Sequence, residues 1–537
     1  MRRGLLGPSR RREASRGLIG SLLSASTGLI STLVLMPVAL EGLGSERYGL
    51  WVLLWQLTGY LNLLDLGIAY AASRDLAAAH AARNRRLVEE TVATGFYLYA
   101  GLGLAFFGIG WVLLPLVPHL SHGARETATL ARWPLLLLLT HGIIAFPARF
   151  LASANIGAQA VAASGVVSFV QGLVNVITAT LMLRSGVGLS SLPAAIVMSD
   201  LIALALHSGV FSRLYGLRVL MLSNVRAAAI RRLVGFSVPV FVAGLGWTIV
   251  AGTDAVVVSA RLGLTAAAFF AVSYRIPSQL VQLVNLGADV TLPGLTGIMT
   301  AESWGRRSHA YAELLRLVGA AAGLCAAAVL VLLRPFMYLW VGPQPRPDLA
   351  FVAIMAYLVV HHPIQHVLAL AMTAARDVRV FAAVAVAEAA ANLGLSLAAV
   401  GLFGVPGVLY ATALAGWINV GYGLWKSSRL TGLRPAATFG FAFGHAAAVT
   451  AVGFGAGLVT QVLGLTASWG RFLLGSGAWV VMTVLGLAIL DQALYHGQLR
   501  SSVGSLLVAL RPPRTAVPPV AEDRRTFSPV RRASIVP

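Results

Sequence analysis

Cysteine and lysine are almost missing from this chain: Cys325 and Lys426 are each the sole residue of their type. A single cysteine excludes an intramolecular disulfide framework. Charge is scarce as well. Only 11% of the 537 residues are charged, and acids number 19 against 40 basic residues; an ordinary soluble protein carries roughly 25% charge. No glycine-rich phosphate loop of the Walker type occurs, which argues against ATP hydrolysis within the chain. The sequence holds no convincing catalytic triad, zinc motif or cofactor motif, and no polar stretch is long enough for a separate soluble domain.

Apolar sequence fills the space instead. The chain is 58% hydrophobic, with a mean hydropathy of +0.80. A helix that crosses a bilayer needs roughly 20 mainly apolar residues. Fourteen stretches meet that need, at 17–40, 50–72, 91–117, 132–154, 160–183, 191–212, 235–259, 265–292, 314–337, 350–374, 380–402, 407–425, 437–463 and 471–495. The basic start, 1–16, followed by an apolar run resembles a signal peptide. That run is too long and lacks a clear cleavage site, so it is expected to be the first span.

Charge sets the orientation. If the spans alternate in direction, 31 Lys and Arg residues fall on the side of the N-terminus and eight on the other, with Arg275 inside a span. Cytoplasmic loops carry this excess, so both termini are expected in the cytoplasm. The net charge of +21 therefore suits anionic membrane lipids rather than nucleic acid. The inner gaps 73–90 and 213–234 are long enough for amphipathic surface helices, and the Pro- and Arg-rich tail, 496–537, has a disordered composition.

A faint repeat divides the chain. Leu43-Gly44 matches Leu262-Gly263, and Asp65-Leu66-Gly67 matches Asn285-Leu286-Gly287. Such a repeat makes spans one to six (17–212) and seven to twelve (235–425) two lobes of like orientation about an axis along the membrane normal, joined by 213–234 and followed by 437–495. The expected fold is an all-α integral membrane protein of about fourteen transmembrane helices: two six-helix lobes around a central cavity, plus two C-terminal helices.

Ionisable groups inside hydrocarbon are costly, so each is a candidate. Arg275 lies well inside span eight beside Tyr274, and Gln279, Gln282 and Asn285 follow at three-residue spacing on one helix face. Arg275 suits an anionic group such as phosphate; a buried ion pair with Asp65, Asp254 or Asp289 is the plainer alternative. Asn62 and Asp65 in span two and Arg149 at the end of span four are further substrate-binding candidates. Asp254, Asp289 and Glu388 are candidates for ion coupling, since a buried carboxylate exchanges protons more readily. Asp200, with His207 two turns on, is another buried acid. His361, His362, Gln365 and His366 form a polar stripe in span ten; without a third ligand nearby, packed or substrate-facing histidines are favoured over a metal site. Trp51, Trp111, Trp133, Trp340 and Trp469, near span ends, are expected interface anchors.

Two stretches carry a family resemblance. LVLMPVALEGLGSERYGLWVLLWQLTGYLNLLDLGIAYAASRDLA, from Leu33, is similar to the first two helices of the polysaccharide transporters, the Wzx-type oligosaccharide flippases. GFSVPVFVAGLGWTIVAGTDAVVVSARLGLTAAAFFAVSYRIPSQL, from Gly235, resembles the start of the second lobe in that family. The superfamily also holds multidrug extruders and lipid II flippases. The resemblance implies two lobes of six helices plus two, and transfer of a polyprenyl-pyrophosphate-linked oligosaccharide from the inner to the outer leaflet of a bacterial cytoplasmic membrane. It also implies a coupling ion, H+ or Na+, and glycan polymerase or glycosyltransferase partners. A basic residue often follows the family's Thr-Asp pair; Ala255 takes that place here, which leaves Arg275 or Arg149 to supply the cation. A drug/cation antiporter of the same superfamily would instead have an acid-dominated cavity. A membrane glycosyltransferase or polymerase would carry a sizeable outer loop, and the outer gaps here are short.

Overall fold

The computed structural model describes residues 8–494, apart from positions 66, 114, 116, 121–124, 302, 344–345, 376–378 and 463–467, with backbone alone for 8–27 and 236–251. The tail expected at 496–537 lies outside the described residues. In chain order the α-helices are α1 (Pro8–Leu61), α2 (Ile68–Ala81), α3 (Arg85–Leu113), α4 (Val117–Leu120), α5 (Arg125–Gly157), α6 (Val161–Arg184), α7 (Ser191–Tyr215), α8 (Ala227–Leu262) and α9 (Leu264–Asp289). They continue as α10 (Leu292–Ala301), α11 (Trp304–Val341), α12 (Leu349–Ala374), α13 (Arg379–Phe403), α14 (Val405–Thr431), α15 (Pro435–Phe439), α16 (His445–Val462) and α17 (Trp469–Leu494). No strand occurs among the described residues.

Among the described residues, ten helical stretches are long and apolar enough to cross a membrane by length and composition. The first, Ile30–Ala81, takes in the end of the first expected span, which α1 begins at Pro8, and all of the second. The long helices α8, α9 and α14, of 36, 26 and 27 residues, complete the fourteen. Every expected span thus has its helix.

The two lobes repeat the same packing. In the first, α1 packs on α6, α3 on α5, α5 on α7 and α6 on α7; in the second, α8 packs on α13, α11 on α12, α12 on α14 and α13 on α14. The repeat also appears in the backbone. Gly44 (φ 73°, ψ 168°) and Gly263 (φ 89°, ψ 174°) hold nearly one conformation where the first helix of each lobe turns into the second. A side chain is disfavoured there, which is why glycine stands at both. The other half of the sequence match is less exact. The second span of the N-terminal lobe breaks at a short 3-10 turn, Asn62–Asp65, ending on Gly67 (φ 73°), whereas Gly287 sits inside α9 and the matching break follows Asp289.

The expected surface helices are replaced by helix extensions. At 73–90, α2 runs to Ala81 and α3 starts at Arg85, so three residues make the turn, with Arg83 at φ 53°. Arg85–Glu89 (2.9 Å) and Arg86–Glu90 (3.0 Å) pair along the first turns of α3. At 213–234, α7 continues to Tyr215, two 3-10 turns follow, and α8 begins at Ala227. At 1.5 Å per residue α8 is about 54 Å long, so its first turns cover part of the expected linker.

The last two spans dock on α11. A Cβ at Gly319 or Gly323 would collide with the backbone of Ala442 or Ala446, and one at Gly453 or Gly457 would collide with the side chain of Ala327 or Val331. Helices in lipid gain no hydrophobic driving force from pairing, so small residues four apart, which let backbones touch, carry such contacts. Trp479 Nε1 then donates to the Gly453 carbonyl at 2.7 Å, tying α17 to α16.

Candidate functional site: a cavity between the lobes

A cavity of about 1340 Å³ lies between the lobes, walled by α1, α5, α6 and α7 on one side and α8, α9, α12, α13 and α14 on the other. Its floor and walls explain why several spans carry polar faces. On α9 the face predicted from spacing points inward: Tyr274, Arg275, Gln282, Asn285 and Asp289 all line the cavity, while Gln279 does not.

Arg275 is the only arginine or lysine lining the cavity among the described residues. Its Nε donates to Thr32 Oγ1 on α1 at 3.0 Å, so it bridges the lobes. Among the described residues it forms no salt bridge, which removes the expected alternative of a structural ion pair with Asp65, Asp254 or Asp289.

Each acid of the cavity is already engaged. Asp200 on α7 accepts from Gln171 Nε2 on α6 at 2.8 Å and pairs with His141 Nδ1 on α5. Glu388 on α13 accepts from Gln365 Nε2 on α12 and from Asn419 Nδ2 on α14, each at 2.9 Å. Asp289 meets His366 Nε2 at 2.7 Å. The two wall clusters are counterparts. Each takes one residue from the fourth, fifth and sixth helix of its lobe, and the carboxylate and the carboxamide change places between the fifth and the sixth.

Asp254 lies beside the cavity rather than in its lining. It is buried and accepts from Thr412 Oγ1 at 3.1 Å; Thr412 in turn accepts from Asn392 Nδ2 at 2.8 Å. Asp254 Oδ1 and the nearby buried Ser396 Oγ have no hydrogen-bond partner among the described residues. Asn62, Asp65 and Arg149 also stand outside the lining. Asn62 Nδ2 donates to the Thr58 carbonyl at 3.3 Å, and Tyr99 Oη donates to Asp65 at 2.7 Å, so both residues serve the broken second span. Arg149 lies 5.4 Å over the Phe146 ring. The structure therefore brings together the α9 residues, Glu388 and Asp289, and leaves Asn62, Asp65, Arg149 and Asp254 apart from them.

The first eight of the fourteen spans, and so the whole N-terminal lobe, fall within one family match. The sequence profile of a family described as polysaccharide biosynthesis protein matches residues 15–299. The chain belongs to that family. None of the curated proteins matches it. Among solved structures, a lipid II flippase MurJ in an inward closed conformation is similar at TM-score 0.66 and 13% identity, covering 89% of this chain and 99% of that one. A multidrug resistance MATE transporter of the MOP superfamily is similar in its inward-facing conformation at TM-score 0.64 and 14% identity, over 78% of this chain and 99% of that one. An outward-facing MATE structure is similar at 0.57 and 15% identity, over 78% and 96%. At such identities the likeness shows the fold: this member of the polysaccharide biosynthesis family is a multi-pass membrane protein with a MurJ- and MATE-like arrangement of helices.

Several lining residues of this family member were not singled out by sequence. His141 stands beside Thr140 in span four, and Gln171 shares one face of span five with Ser168 and Asn175; both meet at Asp200. Trp51, expected as an interface anchor, lines the cavity with Trp55 one turn further on. Trp340 is buried, its Nε1 donating to the Leu33 carbonyl at 2.9 Å. Trp111, Trp133 and Trp469 are exposed near helix ends, as anchors should be. His361 packs against Trp417 and His362 is buried on the same stripe. No group of three metal-ligating side chains occurs among the described residues.

Proposed function

We propose that the protein is a flippase that moves a polyprenyl-pyrophosphate-linked oligosaccharide, the repeat unit of a surface polysaccharide, from the inner to the outer leaflet of a bacterial cytoplasmic membrane by alternating access, with both termini in the cytoplasm. The observation that carries this is Arg275: a cation with no carboxylate partner among the described residues, held by Thr32 in a large cavity between two lobes. A cation in that place costs free energy unless an anion shares it, and the pyrophosphate of the cargo supplies one. The sugar head cannot cross hydrocarbon and needs a polar cavity, while the prenyl tail remains in lipid. The chain acts as a transporter and not as an enzyme.

Arg275, Tyr274, Gln282 and Asn285 receive the anionic end of the cargo. Asp254, Asp289 and Glu388 couple the cycle to an ion. Of these, Asp254 is best placed for a small cation or a proton, since its buried carboxylate accepts from Thr412, which in turn accepts from Asn392. Asn62, Asp65 and Arg149 act indirectly, through the shape of the second span. Anionic lipids meet the basic inner loops, and polymerases or glycosyltransferases of the same glycan are its working partners.

The drug/cation antiporter keeps one observation in its favour. Three carboxylates, Asp200, Asp289 and Glu388, line the cavity against one arginine. Each, however, is bonded to a histidine or carboxamide, whereas Arg275 is not neutralised.

Deletion of the gene in its host, followed by mass spectrometry of the lipid extract, separates the two. The flippase predicts accumulated polyprenyl-pyrophosphate oligosaccharide and loss of the matching surface glycan. An unchanged lipid-linked pool with intact surface glycan refutes it and favours the antiporter.

A further inference from the structure

The N-terminal lobe's wall of the cavity carries a second kind of chemistry. Trp51 and Trp55 stand one turn apart on α1 with ring centroids 5.5 Å apart and planes tilted by 32°. Both line the cavity, and Trp55 is 46% exposed. Its ring centroid lies 6.5 Å from that of His141, which the Asp200 carboxylate orients. Gln171 is fixed by the same carboxylate, and Gln56 and Asn175 line the cavity beside them. An indole turned towards a polar cavity gains little there by itself. It becomes favourable when a cargo covers its face.

Flat aromatic faces next to carboxylate and carboxamide groups match a pyranose ring. A sugar presents an apolar C–H face that packs on an indole, and a rim of hydroxyls that bonds to planar, pre-oriented acceptors and donors. Asp200 has acceptor capacity beyond its two partners, because an ionised carboxylate offers about four lone-pair sites. His141 and Gln171 hold that carboxylate in one orientation, which limits the ordering cost when a ligand arrives.

We infer that the N-terminal lobe wall is a glycan subsite, with Trp51 and Trp55 as the platform for a sugar ring and Asp200, Gln171 and Asn175 as hydroxyl partners, while Arg275 on α9 takes the anionic end. This rests on the flippase function proposed above and adds an assignment to it: glycan on α1, α6 and α7, pyrophosphate on Arg275 of α9. The two ends of the cargo are therefore read by different lobes. Relative movement of the lobes must carry both contacts or break one of them.

The test uses purified full-length protein in nanodiscs and three probes: the lipid-linked oligosaccharide extracted from the deletion strain, farnesyl pyrophosphate, and tetraphenylphosphonium. Trp55→Ala should weaken binding of the lipid-linked oligosaccharide by about tenfold and leave farnesyl pyrophosphate unchanged. Trp55→Phe, which keeps an aromatic face, should restore most of the loss and also controls for folding. Arg275→Ala should weaken both pyrophosphate probes. Equal affinity of Trp55→Ala and wild type for the glycan-bearing lipid overturns the subsite while leaving the flippase standing. Binding of tetraphenylphosphonium that Trp55→Ala abolishes assigns the wall to a cationic cargo and overturns it too. Absence of any lipid-linked pool in the deletion strain removes the flippase function itself, and the subsite with it.

Discussion

Asp200 and Asn419 stand 219 residues apart, the same separation as Gly44 and Gly263, and they occupy matching places on the sixth helix of each lobe. Asp200 accepts a hydrogen bond from Gln171; Asn419 donates one to Glu388. Gln171 and Glu388 are 217 residues apart on the fifth helices. The same arrangement thus recurs in both lobes with its acid and its amide exchanged. In each lobe a single carboxylate holds three helices together through side chains that would otherwise be buried without partners.

That role is measurable. Asp200→Ala removes the acceptor for both His141 and Gln171. Interhelical hydrogen bonds in membranes contribute up to about 1–2 kcal/mol each, so the variant should unfold at a clearly lower temperature. Asp200→Asn keeps an acceptor oxygen and should lose less. Thermal unfolding in detergent, followed by tryptophan fluorescence, ranks the three proteins; equal midpoints would deny the cluster a structural role.

Arg275→Ala should abolish surface-glycan export with folded protein still present in the membrane. Arg275→Lys keeps the charge but not the planar fork that holds Thr32 and a phosphate group together, so it should export at an intermediate level. Cell-surface glycan staining alongside membrane protein levels checks both. Normal export by Arg275→Ala would remove Arg275 from the mechanism.

Asp254→Asn preserves size and hydrogen bonding to Thr412 but removes the charge that a coupling ion needs. Transport driven by a H+ or Na+ gradient should fall to the rate seen without a gradient, while binding of the lipid-linked cargo stays intact. Gradient-driven transport at the wild-type rate would place coupling elsewhere, with Glu388 and Asp289 the next residues to replace.

Gly49 marks where the lobes meet beyond the cavity. A Cβ there would overlap the Leu264 carbonyl, so α1 and the start of α9 touch backbone to backbone, at the end of the lobes turned by Gly44 and Gly263. Gly49→Leu should wedge this contact open. Export should fall and susceptibility to a protease added on that side should rise. A variant with wild-type export would show that the two lobes need not close there.

Much of this was legible in the sequence because hydrophobic length and basic-residue bias are strong signals. All fourteen spans have helices, and the polar stripe at Arg275, Gln282 and Asn285 faces the cavity because one helix face follows from spacing alone. The misjudged elements depend on information that spacing does not carry. Asn62 and Asp65 looked like cavity groups, but the chain breaks between them and they satisfy that break. Arg149 lies on the aromatic side of α5. Trp51 sits near a span end in sequence, yet the kink at Gly44 swings its helix so that the ring faces the cavity. Ser168, Gln171 and Asn175 do form a stripe on one face of α6, but the meeting of Gln171 and His141 at Asp200, 29 and 59 residues away, follows only from the packing of α5, α6 and α7.

The central claim is movement of a lipid-linked glycan across the bilayer. It is tested most directly with purified protein in sealed vesicles carrying the lipid-linked oligosaccharide from the deletion strain, by measuring how much becomes accessible to an added lectin that cannot enter. The account predicts time-dependent exposure that wild-type protein supports and Arg275→Ala does not. Exposure no faster than in protein-free vesicles, under either an imposed H+ or Na+ gradient, would contradict it.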